Sequence, residues 1–207
     1  VANRNFPPYE FIDSKGEFVG FNVDIINAIS QVTGIDIEII PMEWKDALES
    51  LEGNTADGII GMAKDEERMS KYNFTSPTLI QEHVIFVNKD TLHITFLEDL
   101  VGQRVAYQKG NYNEEILKDV SNIIHVPKAD NNLATSALGN GEVDAVLGNK
   151  LSCIYFFQKN KLDNKIKMVG EPVVSAEYGP AVVMGNDDLL VILEKGLELI
   201  KENKTYD

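Results

Sequence analysis

Apolar residues in the first third of the chain recur in two rhythms. Val23, Ile26 and Ile29, with Ile25 and Val32, fall at helical spacing. They predict a helix with Asn22 as its N-cap, Asp24 at its positive end and Gly34 as its stop. Ahead of it, Glu10 to Phe21 reads as a hairpin turning at Asp13-Ser14-Lys15-Gly16. Behind it, Ile35 to Ile40 reads as a strand, Lys45 to Leu51 as a short helix and Asp57 to Met62 as a strand. The middle repeats the alternation: strands at His83 to Val87, Arg104 to Gln108, Ile123 to Val126 and Ala145 to Leu147, a helical turn at Phe96 to Leu100, and helices at Glu114 to Val120, Asn131 to Leu138 and Leu151 to Asn160. A strand at Gly179 to Met184 and a helix at Asp187 to Glu202 close the chain.

This alternation predicts an α/β fold of two lobes, each a mostly parallel sheet flanked by helices. Lobe 1 is expected to be discontinuous, 1–84 with 180–207, and lobe 2 to be 85–179, with crossings near Glu82–Phe86 and Tyr178–Ala181 and a ligand cleft between the lobes.

Composition narrows the functions. The 207 residues carry 19 basic and 33 acidic side chains, a net charge of −14, which argues against nucleic acid and anionic membrane surfaces as partners. A small anionic ligand stays open, because a local Arg outweighs a distant field screened over about 10 Å. The single cysteine, Cys153, lies in the apolar run Leu151 to Phe157, so no internal disulfide is expected and the thiol reads as buried and structural. No apolar run is long enough to span a membrane and no signal peptide is visible; the abrupt opening at Val1 and ending at Asp207 read as those of an excised segment.

The most informative side chain is Arg68, in Gly61-Met62-Ala63-Lys64-Asp65-Glu66-Glu67-Arg68, followed by Phe74-Thr75-Ser76-Pro77. An Arg behind a glycine-containing turn can hold a carboxylate with a planar, two-pronged fork. The same run also reads as an ordinary solvated charged surface. His83, His93 and His125 are scattered without metal-ligand spacing and read as surface or hinge residues. The chain carries no Gly-x-Ser-x-Gly, His-Glu-x-x-His, Cys-x-x-Cys or Gly-x-x-x-x-Gly-Lys motif, and Glu66 and Glu67 read as helix-start charge rather than acid–base catalysts. No cofactor or metal is expected.

Five blocks in order carry a family resemblance. They are Phe6-Pro7-Pro8-Tyr9-Glu10-Phe11 with Gly20-Phe21-Asn22-Val23-Asp24-Ile25; Arg68 with Phe74-Thr75-Ser76-Pro77; Leu97 to Ala106; Gly141 to Val146; and Asn203 to Asp207. Together the chain resembles the family 3 extracytoplasmic solute-binding proteins, polar-amino-acid binders of the type 2 periplasmic-binding-protein fold. The resemblance implies a domain that grips a small molecule without transforming it. It implies that Arg68 pairs with the ligand carboxylate and that backbone groups at Gly61 and Ala63 line the same pocket. Phe6 and Trp44 stand where aromatics sandwich the ligand, with a core aromatic and an interlobe plug as their structural alternatives; Asn3 ends the opening strand; and Gln108, Asn111 and Tyr112 would reach in from lobe 2, Tyr112 reading more as a helix-start packing residue than as a contact.

Two departures bear on the ligand. Asn149 stands where amino-acid binders place an Asp against the ligand ammonium, and it reads as a neutral acceptor; Ala63 stands where a hydroxyl is common. Gly61-Met62-Ala63, Leu147 to Leu151 and Gly170-Glu171-Pro172 resemble the branch used as input domains of sensor histidine kinases and cyclic-di-nucleotide enzymes. The expected partners are therefore an amino acid or related carboxylate and a membrane signalling module, with the permease of an ABC importer as the alternative. The expected location is extracytoplasmic, tethered to the membrane by other segments, with no direct insertion by this one. A dehydratase-like enzyme on the same fold is the third reading.

Overall fold

A computed structural model describes residues 1–206. In chain order the elements are β1 (Ala2–Asn3), β2 (Asn5–Phe6), β3 (Glu10–Ile12), β4 (Phe18–Val19), α1 (Phe21–Thr33), β5 (Pro41–Met42), α2 (Trp44–Glu52), β6 (Gly58–Ala63), α3 (Glu66–Met69), β7 (Tyr72–Phe74) and β8 (Leu79–Asn88). A 3₁₀ turn at Leu97–Leu100 then leads to β9 (Arg104–Gln108), α4 (Tyr112–Lys118), β10 (Ile124–Lys128), α5 (Asn131–Gly139), β11 (Ala145–Asn149), α6 (Lys150–Lys159), β12 (Ile166–Val183) and α7 (Asp187–Glu202). The chain divides into two compact units: unit 1, Val1–Ile80 with the segment from Glu177 onward, and unit 2, Gln81–Ala176. The divisions fall inside β8 and β12, a few residues before the positions read from the sequence.

In unit 1, β2, β3 and β4 form a small antiparallel sheet, and β1 pairs in parallel with β5 at Ala2↔Pro41. The later half of β12 pairs antiparallel with β6, at Tyr178↔Ala63 and Gly179↔Met62, and with β7 at Ala181↔Phe74. Helix α1 is the predicted one with a different cap: Gly20, at φ +129°, precedes Phe21, and a Cβ there would strike the Tyr9 carbonyl. Asn22, expected as the cap, is buried instead, and Gly34 ends the helix in the left-handed conformation. The strand expected at Ile35 to Ile40 does not form. Its alternation is real, since Ile37 and Ile39 pack on the core, but a strand needs a ladder partner and β1 pairs only from Ala2 onward.

Unit 2 shows why its strands read as near-continuous apolar runs. Strands β10, β9 and β11 are parallel neighbours and β8 joins antiparallel to β11. Val84, Phe86, Ala106 and Val146 face a core shared with Ala134, Leu138, Cys153 and Phe157. Ile85, Val87, Val105, Tyr107, Ala145 and Leu147 face the opposite core with Leu100 and Leu117. Both faces are covered, as for sheets built from crossover helices. The pairings are thus mixed: parallel where a helix carries the crossover, antiparallel where β8 and β12 enter without one. The first half of β12 was not legible, because Gly170 and the polar residues around it interrupt the apolar signal.

The pairing of α1 with α7 depends on a small residue. Gly196 on α7 lies where a Cβ would come within 2.5 Å of Ile29 Cγ2, on a side chain that is itself fully buried. Gly196→Ala should therefore cost about 1–3 kcal/mol through overpacking, despite alanine's better helix propensity. Urea unfolding should show a lowered midpoint with an unchanged slope; an unchanged or raised midpoint would contradict the packing described.

Candidate functional site

Arg68 is positioned by the two elements that flank it. Strand β6 ends at Ala63, and Asp65 caps the short helix α3 by accepting from the Arg68 backbone N–H at 2.8 Å. The Asp65 side chain also forms an ion pair with Arg68 Nε at 3.3 Å, too poorly aligned to be a hydrogen bond. Arg68 Nη1 donates to the Ala63 carbonyl at 2.9 Å, and the guanidinium carbon lies 5.8 Å from the centre of the Trp44 ring. The Arg68 side chain is only 12% exposed. A cation this buried must be partnered, and backbone carbonyl, carboxylate and ring face each meet part of that need. The run is thus not a solvated surface at Arg68, although Glu66 and Glu67 remain exposed.

A second cluster in unit 1 gathers around Glu10, which is fully buried. Its two carboxylate oxygens accept from the Asn3 backbone N–H and from Asn22 Nδ2, each at 2.9 Å. Loss of hydration pushes its pKa up to about 7, and the two hydrogen bonds and the Val1 ammonium oppose the rise. Asn22 also bonds Tyr178, whose phenol is held well above its ordinary range, chiefly by burial. Tyr178, Phe6 and Tyr9 form a tilted trio with ring centres 5.0 to 6.1 Å apart. Gly61 is the reason these groups can meet: a Cβ there would collide with Asn22 Nδ2 and the Tyr178 hydroxyl.

Unit 2 brings its polar residues to the carboxyl ends of its parallel strands, where helices begin. Gln108 ends β9, Asn131 opens α5 just beyond β10, and Asn149 ends β11 as the cap of α6. Asn131 Nδ2 donates to Gln108 Oε1 at 3.2 Å and reaches Ser152 Oγ at 3.4 Å. Asn111 Nδ2 donates to the same Gln108 oxygen at 3.2 Å. Asn149 Oδ1 accepts from the Ser152 backbone N–H at 3.0 Å. Nearby, Tyr112 meets the His83 ring edge-on at 5.5 Å, and His83 Nδ1 lies 2.6 Å from Asn113 Oδ1.

Several expected roles change once the residues are placed. Arg68, Ala63, Gly61, Asn3, Phe6 and Trp44 all belong to unit 1, but Trp44 is part of the core with Leu51, Ile59 and Met62 and serves as a floor beneath Arg68. Ala63 contributes its carbonyl to Arg68, and Asn3 braces the turn to Asn5 and the Glu10 carboxylate. Asn149 Oδ1 accepts from the Ser152 N–H and caps α6, and its Nδ2 has no acceptor among the described residues. His83 is buried, not at the surface, whereas His93 and His125 are exposed. Cys153 is fully buried and its thiol is pushed up by desolvation, the environment of a structural cysteine.

Asp65, Asn22, Tyr178, Asn131 and Ser152 were missed. Asp65 had a local signal in its spacing three residues before Arg68; Tyr178 is distant in sequence and had none. A cavity of about 610 Å³ in unit 1, lined by Ile37, Asp57, Ile60 and Leu189 among others, borders the unpaired Ile35 to Ile40 stretch and includes none of the expected ligand residues. Among the described residues no His, Cys, Asp and Glu cluster is arranged for a metal, and no helix is long and apolar enough to cross a membrane.

Comparison with known proteins agrees with this geometry. The model of the bacterial extracellular solute-binding proteins, family 3, matches residues 1–207. The L-cystine-binding protein TcyJ of Escherichia coli (strain K12) is 26% identical over 97% of this chain and 76% of its own length. The ABC transporter arginine-binding protein 1 of the same organism is 27% identical over 99% of this chain and 85% of its own. Among solved structures, a histidine kinase sensor domain with similarity to periplasmic binding proteins superposes with TM-score 0.92, at 29% identity, over 99% of this chain and 90% of that one. An ancestral arginine-binding protein bound to arginine gives TM-score 0.92 at 32% identity, over 100% and 92%. The fold is that of the type 2 periplasmic binding proteins, and these family members and relatives are binding proteins rather than enzymes.

Glu10 makes stability depend on pH in a defined direction. Its folded pKa of about 7 lies above the ordinary 4.5, so its contribution is fully present below about 4.5 and is lost as pH rises through 7. Relative to Glu10→Gln, the wild type should lose up to about 1.4 kcal/mol per pH unit between about pH 4.5 and 7 and run parallel to it above pH 7. Urea unfolding of both proteins from pH 5 to 8.5 measures this; profiles parallel across the whole range would mean that Glu10 does not carry the proton.

Proposed function

Because the chain belongs to the bacterial extracellular solute-binding proteins of family 3, we propose that it binds an amino acid or related small carboxylate, gripped at Arg68, and closes on it without chemical turnover. The observation that carries this reading is the buried Arg68 guanidinium, held by Ala63, Asp65 and Trp44. A guanidinium already oriented by its neighbours loses little further freedom when a carboxylate meets its planar donors. The names of the relatives, which bind cystine and arginine, support an amino acid or a close analogue. In this reading Phe6, with Tyr9 and Tyr178, offers apolar surface to the ligand side chain.

The bound state then passes a signal or delivers cargo. We place the domain as the extracytoplasmic input of a membrane signalling protein, in line with its likeness to a histidine kinase sensor domain. The second reading, a substrate-binding component of an ABC importer, is favoured by the named curated relatives. The coding sequence adjoining this segment discriminates the two: a membrane helix joined to a kinase or cyclase supports the first, a neighbouring permease gene the second.

Thermal unfolding against a panel of amino acids and small carboxylates tests the site. A ligand at 100 times its dissociation constant stabilises by about 2.7 kcal/mol, or roughly 5–11 °C for a chain of this size. Arg68→Ala should erase the shift while leaving the protein folded. Arg68→Lys should weaken binding at least about tenfold, because an ammonium is a point charge without the planar fork. Unchanged affinity in Arg68→Ala would remove Arg68 from the site.

A further inference from the structure

Glu10 is a fully buried carboxyl group whose hydrogen bonds come from two neutral donors, the Asn3 backbone N–H and Asn22 Nδ2. The charged and titratable groups facing it come from three elements. The Val1 ammonium stands at the start of β1 and itself faces Asp57. Tyr9 precedes Glu10 in the chain, and Tyr178 comes from β12. Beyond Tyr178 lies Arg68, paired with Asp65.

A chain of contacts within unit 1 joins Glu10 to Arg68. Asn22 holds Glu10 and also bonds Tyr178. They meet over Gly61, where a Cβ would lie 2.3 Å from Asn22 Nδ2 and 2.7 Å from the Tyr178 hydroxyl. Tyr178 stands opposite Ala63 in the ladder of β12 and β6, and the Ala63 carbonyl accepts from Arg68 Nη1. Beyond the effect of its own burial, the Tyr178 phenol is raised by Glu10 and Tyr9 and lowered by Arg68, so one ring lies in the field of both groups. Buried charges are screened far less than exposed ones.

Arg68 and Asp65 form an ion pair with no net charge. A carboxylate added at Arg68 leaves one negative charge there, and a like charge disfavours an ionised carboxyl nearby. Glu10 is poised to respond, because burial already pushes its pKa up to about 7.

We infer that the Arg68 site is coupled to the proton on Glu10, so that a carboxylate entering at Arg68 draws a proton from solution onto Glu10. This adds a regulation to the proposed function and rests on it. By linkage the same carboxylate is held more tightly while Glu10 is neutral, and its affinity falls as pH rises through 7.

The test reads Glu10 itself. Carbon-detected NMR follows its carboxyl carbon through neutral pH, with Glu10→Gln identifying the resonance and keeping it apart from the Val1 ammonium, which burial lowers from its ordinary value. Arg68→Gln removes one positive charge, the same change in net charge as an added carboxylate, and keeps an N–H for the Ala63 carbonyl. It should raise the Glu10 midpoint by at least about 0.3 in pH. Arg68→Lys keeps the charge and should leave the midpoint within about 0.1 of the wild type. Acetate, against sodium chloride at equal ionic strength, should raise the wild-type midpoint by at least about 0.3, which is equivalent to holding acetate about twofold more tightly when Glu10 is neutral. A midpoint unmoved by Arg68→Gln, or moved as far by Arg68→Lys, overturns the inference and leaves the carboxylate site standing. So does a wild-type midpoint in the ordinary carboxylate range. A midpoint that moves in Arg68→Gln but not with acetate upholds the coupling and counts against Arg68 as a carboxylate site.

Discussion

The organisation of unit 1 depends on one constraint: a guanidinium that is almost out of water must be satisfied by protein. Ala63 can offer its carbonyl to Arg68 because β6 ends there and α3 turns the chain back within five residues. Asp65 makes that turn by capping α3 and in the same act sets its carboxylate beside Nε. Trp44 closes the underside with its ring, anchored in the core by Ala47 and Leu51 along the same helix. Cap, strand end and ring are separate structural features, yet together they fix one cation in one orientation.

The neighbouring cluster shows the same economy with the opposite charge. Glu10 is tolerated in a dry setting because Asn3 and Asn22 each supply a donor, and it is held close to neutral because those donors do not replace bulk water. Gly61 connects the cluster to the strand that leads to Arg68, since the absence of a side chain lets Asn22 and Tyr178 approach its backbone. Unit 2 uses no buried ionised group at the matching positions. Its strand ends carry amides, of which Asn131 Oδ1 and Asn149 Nδ2 have no hydrogen-bond partner among the described residues.

Much of this was legible in advance where local rules decide. Helices α1, α2, α5, α6 and α7 follow from apolar spacing, and β9 and α7 match their predicted bounds to the residue. Arg68 stood out because the residue types around it suit carboxylate chemistry at short range. The misses have a common cause. Ile35 to Ile40 alternates as a strand should, but hydrogen-bond ladders depend on a partner the pattern does not mention. His83 looked like a scattered polar residue, but β8 buries it against α4.

The sequence by itself determined the α/β class, the order of most elements, the acidic character that argues against nucleic acid, and the candidacy of Arg68, because spacing, charge and turn chemistry act between near neighbours. Only the tertiary structure decided which atoms of those residues remain available. Asn149 illustrates the division: its identity was visible as a departure from an acid, but whether it shows oxygen or nitrogen depends on the Ser152 N–H at the start of α6. Trp44 likewise could be named but not placed, and Tyr178 joined Phe6 and Tyr9 only through the pairing of β12 with β6. Contacts of this kind join residues far apart in the chain, and their direction is set by packing, which no local pattern records.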